Sequence, residues 1–296
     1  MSEIVIGTAN FGNDYGILNI PSKGQVTLGP TKAVEILKYS KSIGIRKFDT
    51  ALTYGESSNI LESFLDLDPE IEIFHKITWV GGSKEDFTEY QKTLINLLNR
   101  PIGKAIKLMQ WHNWDGDSSD LISLQDFQKK FQDNYDIDFG VTTYGVKNAI
   151  TASSSQIFKN VQFEYNILNQ SVIRALIENN LHRNSRYSMR SILLQGLLAT
   201  DKPIPSKLPE KLIEAISKFK TVCDKWALTT LEVSIRSKLN FKLETDLVIG
   251  ITSIDEIDKI NDALSRGALP EALFKELSIF NEYDSSVADP RYWNLR

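Results

Sequence analysis

In the segment FDTALTYGES, residues 48–57, an aspartate (Asp49) closes an apolar run and a tyrosine (Tyr54) follows in a short polar turn. Lys76 stands near the end of the next apolar run, IEIFHKI, and His112 ends the one after it, AIKLMQWH. An acid, a phenol, an amine and an imidazole at the ends of three successive runs form a proton-transfer set. A tyrosine with an unperturbed pKa of about 10 is a poor acid at neutral pH. A neighbouring ammonium favours the phenolate and lowers that value. Asp49 would pair with Lys76 and hold it in place, while His112 would orient a substrate oxygen. Tyr54 would then protonate a carbonyl oxygen as hydride reaches its carbon. Each residue also has a plainer reading: Asp49 as a cap, Tyr54 as a packing aromatic, His112 as a structural histidine. Lys76 is harder to dismiss, because an unpaired buried amine is costly. The coincidence of all four favours one shared site.

The elements that must position these groups alternate along the whole chain. Strands are expected at 4–9, 45–50, 71–77, 105–112, 137–142, 160–166, 187–194 and 246–251. They are short and rich in Ile, Val, Phe and Leu, as strands buried on both faces should be. Amphipathic stretches lie between them. TKAVEILKYSKSIG has Thr31 as a candidate cap and stops at Gly44. Ser83 with Asp86 three residues on reads as a capped start. SIDEIDKINDAL carries Ile254, Ile257, Ile260 and Leu264 on one stripe, with Asp255 and Glu256 in the first turn, where the helix dipole favours acids. Eight alternations predict an α/β fold, a (β/α)8 TIM barrel forming a single domain over 1–296. Its active site would lie at the C-terminal ends of the strands. An open doubly wound sheet is the competing layout, but GTANFG after the first strand is not a glycine-rich nucleotide fingerprint. The additions are a long first βα loop (10–30) and a C-terminal tail after Pro270.

With 296 residues and a net charge of −4, the chain lacks the basic balance of a nucleic-acid binder. A lone cysteine, Cys223, permits no intrachain disulfide and reads as a packed helical thiol. The N-terminus has neither a secretory pattern nor a membrane span, which points to a cytoplasmic protein. No metal site is expected. His75, His112 and His182 are the only histidines, and their spacing resembles no ligand set. His75 neighbours Lys76 on one strand, so it should face the helices. Trp79, Trp111 and Trp114 follow strand ends and could wall a small-molecule pocket, with rim packing as the equal alternative. The tail residues Arg291, Tyr292, Trp293 and Arg296 could fold over the site or pack outside the barrel. The oligomeric state is not legible.

GIRKFDTALTYGESSNILESFL resembles the signature of the aldo-keto reductases: an Asp-Thr-Ala core, then Tyr-Gly and an acid. The lysine on the next strand and the histidine on the one after complete that family's catalytic tetrad. The resemblance implies a barrel oxidoreductase that reduces a small-molecule carbonyl, with Tyr54 as general acid/base supported by Asp49, Lys76 and His112. It also implies an extended nicotinamide cofactor, NADP by family frequency with NAD as the alternative. GVTTYG (140–145) sits where the family has Gly-Val-Ser-Asn, which makes Thr142 and Thr143 candidates for the carboxamide, together with Gln162 in VQFEYN. In MRSILLQGLL, Arg190 replaces a ring-stacking tyrosine; a planar guanidinium can also stack. Ser191, Leu193, Gln195 and Leu197 would follow the pyrophosphate. Gly250, Thr252, Ser253 and Asn261 would hold the adenosine end, with Ile251 and Ile257 where many members carry cations. The aromatic-basic ending resembles a branch associated with surface sugars, which implies a sugar or sugar-derived carbonyl. Two rivals are a slow, cofactor-binding regulatory protein on the same fold and a barrel lyase using Lys76 as a Schiff-base amine.

Overall fold

A computed structural model describes residues 3–12, 28–65, 70–181 and 183–293. His182, Arg296 and most of the first loop lie outside the described residues. Eight parallel strands close on themselves in chain order: β1 (Ile4–Gly7), β2 (Lys47–Ala51), β3 (Glu72–Thr78), β4 (Ile106–His112), β5 (Asp138–Thr142), β6 (Asn160–Glu164), β7 (Arg186–Arg190) and β8 (Thr245–Gly250). The closing pair joins β1 to β8, with Gly7 opposite Gly250. All eight expected strands are present, most shifted by one or two residues at an end, and the barrel is the expected (β/α)8 fold.

The helices are α1 (Ala9–Gly12), α2 (Pro30–Ser42), α3 (Ser57–Leu65), α4 (Lys84–Leu98), α5 (Leu121–Gln132), α6 (Gly145–Ser155), α7 (Ser171–Glu178), α8 (Glu210–Lys225), α9 (Thr230–Ser237), α10 (Ile254–Ser265) and α11 (Glu271–Glu276). α4 starts on a reciprocal capping box: the Ser83 hydroxyl accepts from Asp86 N–H, and the Asp86 carboxylate accepts from Ser83 N–H. For α2 the cap is Gly29, with Pro30 at the first helical position, rather than Thr31. Proline's fixed φ and missing N–H suit that place, and Thr31 is drawn inside the first turn.

Strand side chains divide by parity, and the division corrects one expectation. The strands are not apolar on both faces. Helix-facing positions such as Phe48, Ile73, Met109, Phe139 and Phe163 join the main apolar core. Inside the barrel, Val5, Phe74, Leu108 and Val248 form one small apolar layer. Above it the interior is polar. Gln110 donates to Asn160 Oδ1 (3.0 Å), Asn160 donates to the Ser188 hydroxyl (2.9 Å), and Gln162 donates to Asp49 Oδ2 (2.9 Å). Pairing among its members stabilises such a network in low dielectric, with Gln162 Oε1 left over.

A second apolar cluster gathers α8, α11 and the tail, and includes Cys223, Leu197 and Trp293. Burial, then the charge of Asp224, pushes the Cys223 thiol up to about 12, so it is no nucleophile. No helix among the described residues is long and apolar enough to cross a membrane. No group of three His, Cys, Asp or Glu among them could hold a metal ion.

Candidate active site

The C-terminal ends of the strands surround a cavity of about 710 Å³. Asp49, Tyr54, Lys76 and His112 all line it. Lys76 donates to Asp49 Oδ1 deep in the barrel, both side chains being almost wholly buried. The Lys76 ammonium stands 5.6 Å from the Tyr54 ring centre. The rings of Tyr54 and His112 meet edge-on, 6.2 Å apart.

Local structure fixes these positions. Thr8, just after β1, donates to Asp49 O through its N–H (2.9 Å) and its hydroxyl (3.0 Å). Ser57, at the start of α3, donates to Thr8 O (2.7 Å). Gly12 lies so close to the Tyr54 turn that a Cβ there would fall 2.0 Å from Tyr54 O. Only glycine allows that approach.

The charges are balanced against burial. Burial disfavours the Lys76 ammonium, but the charges of Asp49 and Tyr54 and the Asp49 hydrogen bond outweigh it and hold its pKa above the usual value, with Arg190 opposing them. His112 is pushed down to about 3, chiefly by burial, then by the Lys76 and Arg190 cations. At neutral pH it is an uncharged imidazole, a donor and acceptor of hydrogen bonds rather than a cation. His75 faces outward as expected, with Nε2 3.4 Å from the Ser58 hydroxyl on α3.

Of the other sequence-derived candidates, Gln162, Arg190, Ser191, Leu193, Gln195, Gly250, Thr252 and Ser253 line the cavity. Gln162 Oε1 is buried and has no hydrogen-bond partner among the described residues. Ser191, Leu194 and Gln195 have φ of 63°, 47° and 55°. Non-glycine residues held in this region cost about 1–3 kcal/mol each and cluster at functional sites.

Several candidates fall elsewhere. Thr142 and Thr143 are fully buried and do not line the cavity. The Thr142 hydroxyl accepts from Asn113 N–H (2.9 Å), while Thr143 N–H donates to Gln162 O (2.9 Å). Leu197 packs in the second apolar cluster. Asn261 does not line the cavity; its neighbour Ile260 does. Ile251 and Ile257 are core residues, so the cavity-facing positions at this end are Thr252, Ser253, Asp255, Glu256 and Lys259.

Trp79, Trp111 and Trp114 do not wall the pocket. They are buried between strands and helices, Trp79 stacking on Tyr90 (5.7 Å), Trp111 on Phe139 (6.0 Å) and Trp114 packing on Phe158 (5.5 Å). For Trp111 the reason is parity. It precedes His112 on β4, so the two must face opposite sides.

The cavity also contains groups that the sequence reading passed over. Glu164 follows Gln162 by two on β6 and therefore shares its face; it accepts from Gly145 N–H (2.8 Å). Tyr144 is clasped between two guanidinium groups, Arg190 at 4.0 Å and Arg291 at 3.6 Å from its ring centre. Arg291 is held by the Asp289 carboxylate (3.0 Å). The tail does both things expected as alternatives. Asp289 to Arg291 line the cavity, and Trp293 is anchored in the second apolar cluster with its indole N–H on Val287 O (2.9 Å). Asn10, on α1, completes the wall.

A closed parallel barrel with these four groups at its strand ends is the layout of a carbonyl oxidoreductase. The family model described as Aldo/keto reductase family matches residues 3–282, and the chain belongs to that family. Among solved structures, the glycerol dehydrogenase of Gluconobacter oxydans shares 17% identity and a TM-score of 0.68, covering 94% of this chain and 90% of that one. An aldo-keto reductase of Bacillus halodurans, in its holo form, shares 14% identity and a TM-score of 0.76, covering 98% and 95%. At these identities the likeness speaks for the fold. Among curated proteins, none matches the chain. The family generally uses nicotinamide cofactors and small-molecule carbonyl substrates.

Proposed function

We propose that the chain reduces an aldehyde or ketone, a sugar or sugar-derived carbonyl in particular, with a nicotinamide dinucleotide bound along the cavity. The observation that carries this is the convergence of Asp49, Tyr54, Lys76 and His112 in one cavity at the strand ends. The bound cofactor supplies hydride to the carbonyl carbon. The chain's own residues do the rest. Tyr54 gives its phenolic proton to the carbonyl oxygen. Lys76 faces the Tyr54 ring and stabilises the phenolate left behind. Asp49 keeps Lys76 charged and fixed. His112, neutral, holds the carbonyl oxygen in reach of Tyr54.

The wall fits the cofactor. Gln162 Oε1 is an unpaired buried acceptor suited to the carboxamide N–H group. Ser191, Leu194, Gln195 and Gly196, all at positive φ, offer close backbone approach to the pyrophosphate. A polar substrate fits the remaining lining, Asn10, Asn113, Tyr144, Glu164, Asp289 and Arg291, better than an apolar one. Schiff-base chemistry at Lys76 is disfavoured, because it needs a neutral amine and Asp49 holds this one protonated.

Tyr54→Phe tests the reading. Removing a proton donor costs about 10²–10⁴-fold in turnover. Loss of carbonyl reduction across an aldehyde panel, with dinucleotide affinity retained, is the expected result. Unchanged turnover removes Tyr54 as the donor.

A further inference from the structure

The β6 wall of the cavity carries an acceptor that the proton-transfer set does not use. Glu164, the last residue of β6, lines the cavity with its side chain 8% exposed. One carboxylate oxygen, Oε1, accepts from Gly145 N–H (2.8 Å) and ties down the start of α6. The other, Oε2, has no hydrogen-bond partner among the described residues. Arg190 sits opposite Glu164 in the β6–β7 register, yet its Nη2 stands 3.7 Å from Oε2, beyond hydrogen-bond reach. That nitrogen donates instead to Thr143 O (2.8 Å). A buried carboxylate oxygen without a donor is costly unless a ligand or water supplies one.

Two observations put this oxygen beside the proton-transfer set. Glu164 lies two residues beyond Gln162 on the same strand face, about 7 Å further toward the mouth. Gln162 itself donates to Asp49, the partner of Lys76. On the adjacent strand, the charge of Arg190 bears on both Lys76 and His112. The surrounding charges are matched: Lys76 with Asp49, Arg291 with Asp289, and Arg190 facing Glu164. An anionic substrate would therefore set its own charge against Glu164, whereas a neutral hydroxyl supplies the missing donor.

We propose that Glu164 is a specificity-determining residue, whose free oxygen accepts a hydrogen bond from a substrate hydroxyl and so favours neutral hydroxylated aldehydes and ketones over unsubstituted ones and over oxo acids. The inference rests on the oxidoreductase reading and names the substrate class of that same cavity. A hydroxyl seated between the two side chains donates to Oε2 and accepts from the Arg190 guanidinium, bridging the 3.7 Å gap. An alkyl chain in its place leaves Oε2 without a donor. A carboxylate there meets like charge in a poorly screened site. Sites built to hydrogen-bond a hydroxyl reject the analogue lacking it far more strongly than apolar pockets tell such pairs apart.

Steady-state reduction of glyceraldehyde, propanal and glyoxylate by the full chain, with NADH and NADPH both supplied, tests it. Expected is a kcat/KM at least tenfold higher for glyceraldehyde than for either of the others. Glu164→Gln puts a donor amide where the free oxygen was. The ratio of glyceraldehyde to propanal should then fall at least fivefold, mainly through the KM for glyceraldehyde. A purely structural role lowers both aldehydes alike, and a ratio unmoved in the folded variant overturns the assignment. Propanal or glyoxylate reduced as well as glyceraldehyde by the unaltered chain overturns it too, so a misfolded variant does not remove the test. Either result leaves the oxidoreductase reading intact. Reduction of none of the three overturns both.

Discussion

Asp49→Ala should leave Lys76 as a buried ammonium without its counter-ion. In the folded chain Lys76 is 3% exposed and Asp49 1%, and Asp49 also accepts from Gln162. Breaking a buried pair by removing one partner costs about 3–5 kcal/mol. At about 2.1 cal/mol/K per residue, the unfolding entropy of 296 residues is about 0.6 kcal/mol/K, so the midpoint should fall by about 5–8 °C. The double variant Asp49→Leu/Lys76→Met removes both charges and should recover most of the loss, since apolar replacement of a buried pair is often neutral. The pH dependence has a defined sign. In the unaltered chain the folded pKa of Lys76 is raised, so the pair's contribution is present below about pH 10.5 and lost as pH rises through the folded value. In Asp49→Ala burial is opposed far less, the folded pKa drops below the unfolded one, and the deficit shrinks as pH rises toward about 10.5. Thermal melts by circular dichroism at pH 7 and 9.5 measure each case. A double variant as unstable as the two single losses added together, or an Asp49→Ala deficit that grows with pH, refutes the reasoning.

Two histidines should contribute to a loss of stability in acid. His75 and His112 are both pushed down to about 3, burial being the main cause in each. A folded pKa below the unfolded value of about 6.5 means that stability present above that pH is lost as pH falls from there toward 3. Denaturant titrations from pH 7 to 4 should show this decline, and His75→Gln should flatten it. Trp111→Ala should cost about 3–5 kcal/mol, as for large buried aromatics. It should leave the KM for aldehydes within twofold, because Trp111 is fully buried on the helix side. A large KM change with normal stability would return it to the pocket.

Much of the fold was readable because alternation and parity are local. The eight strands, the Ser83 capping box and the Gly44 stop follow from neighbouring residues. Parity was also sufficient to place His75 toward α3, and applied to Trp111 it gives the helix side. Position in a resembling segment led to eight residues that line the cavity and to four, Thr142, Thr143, Leu197 and Asn261, that do not. Thr143, Ile251, Ile257 and Asn261 each neighbour a cavity-lining residue in sequence, and one step along a strand or around a helix turns a side chain to another side, while Thr142 pairs with Gln162 but spends its hydroxyl on Asn113 N–H. Tyr144 adjoins Thr143, and Glu164 shares the face of Gln162, so parity applied to β6 also gives Glu164 to the cavity.

By itself the sequence determined an alternating barrel and the chemical types at three strand ends, since period and residue type are written into the chain. Tertiary structure alone decided that Lys76 meets both Asp49 and the Tyr54 ring, and that the tail brings Arg291 onto Tyr144. It alone decided that Glu256 turns back onto Thr252. These are contacts across or between elements. They depend on closure, stagger and the rotation of each strand end, quantities that arise only once all eight strands close on one another.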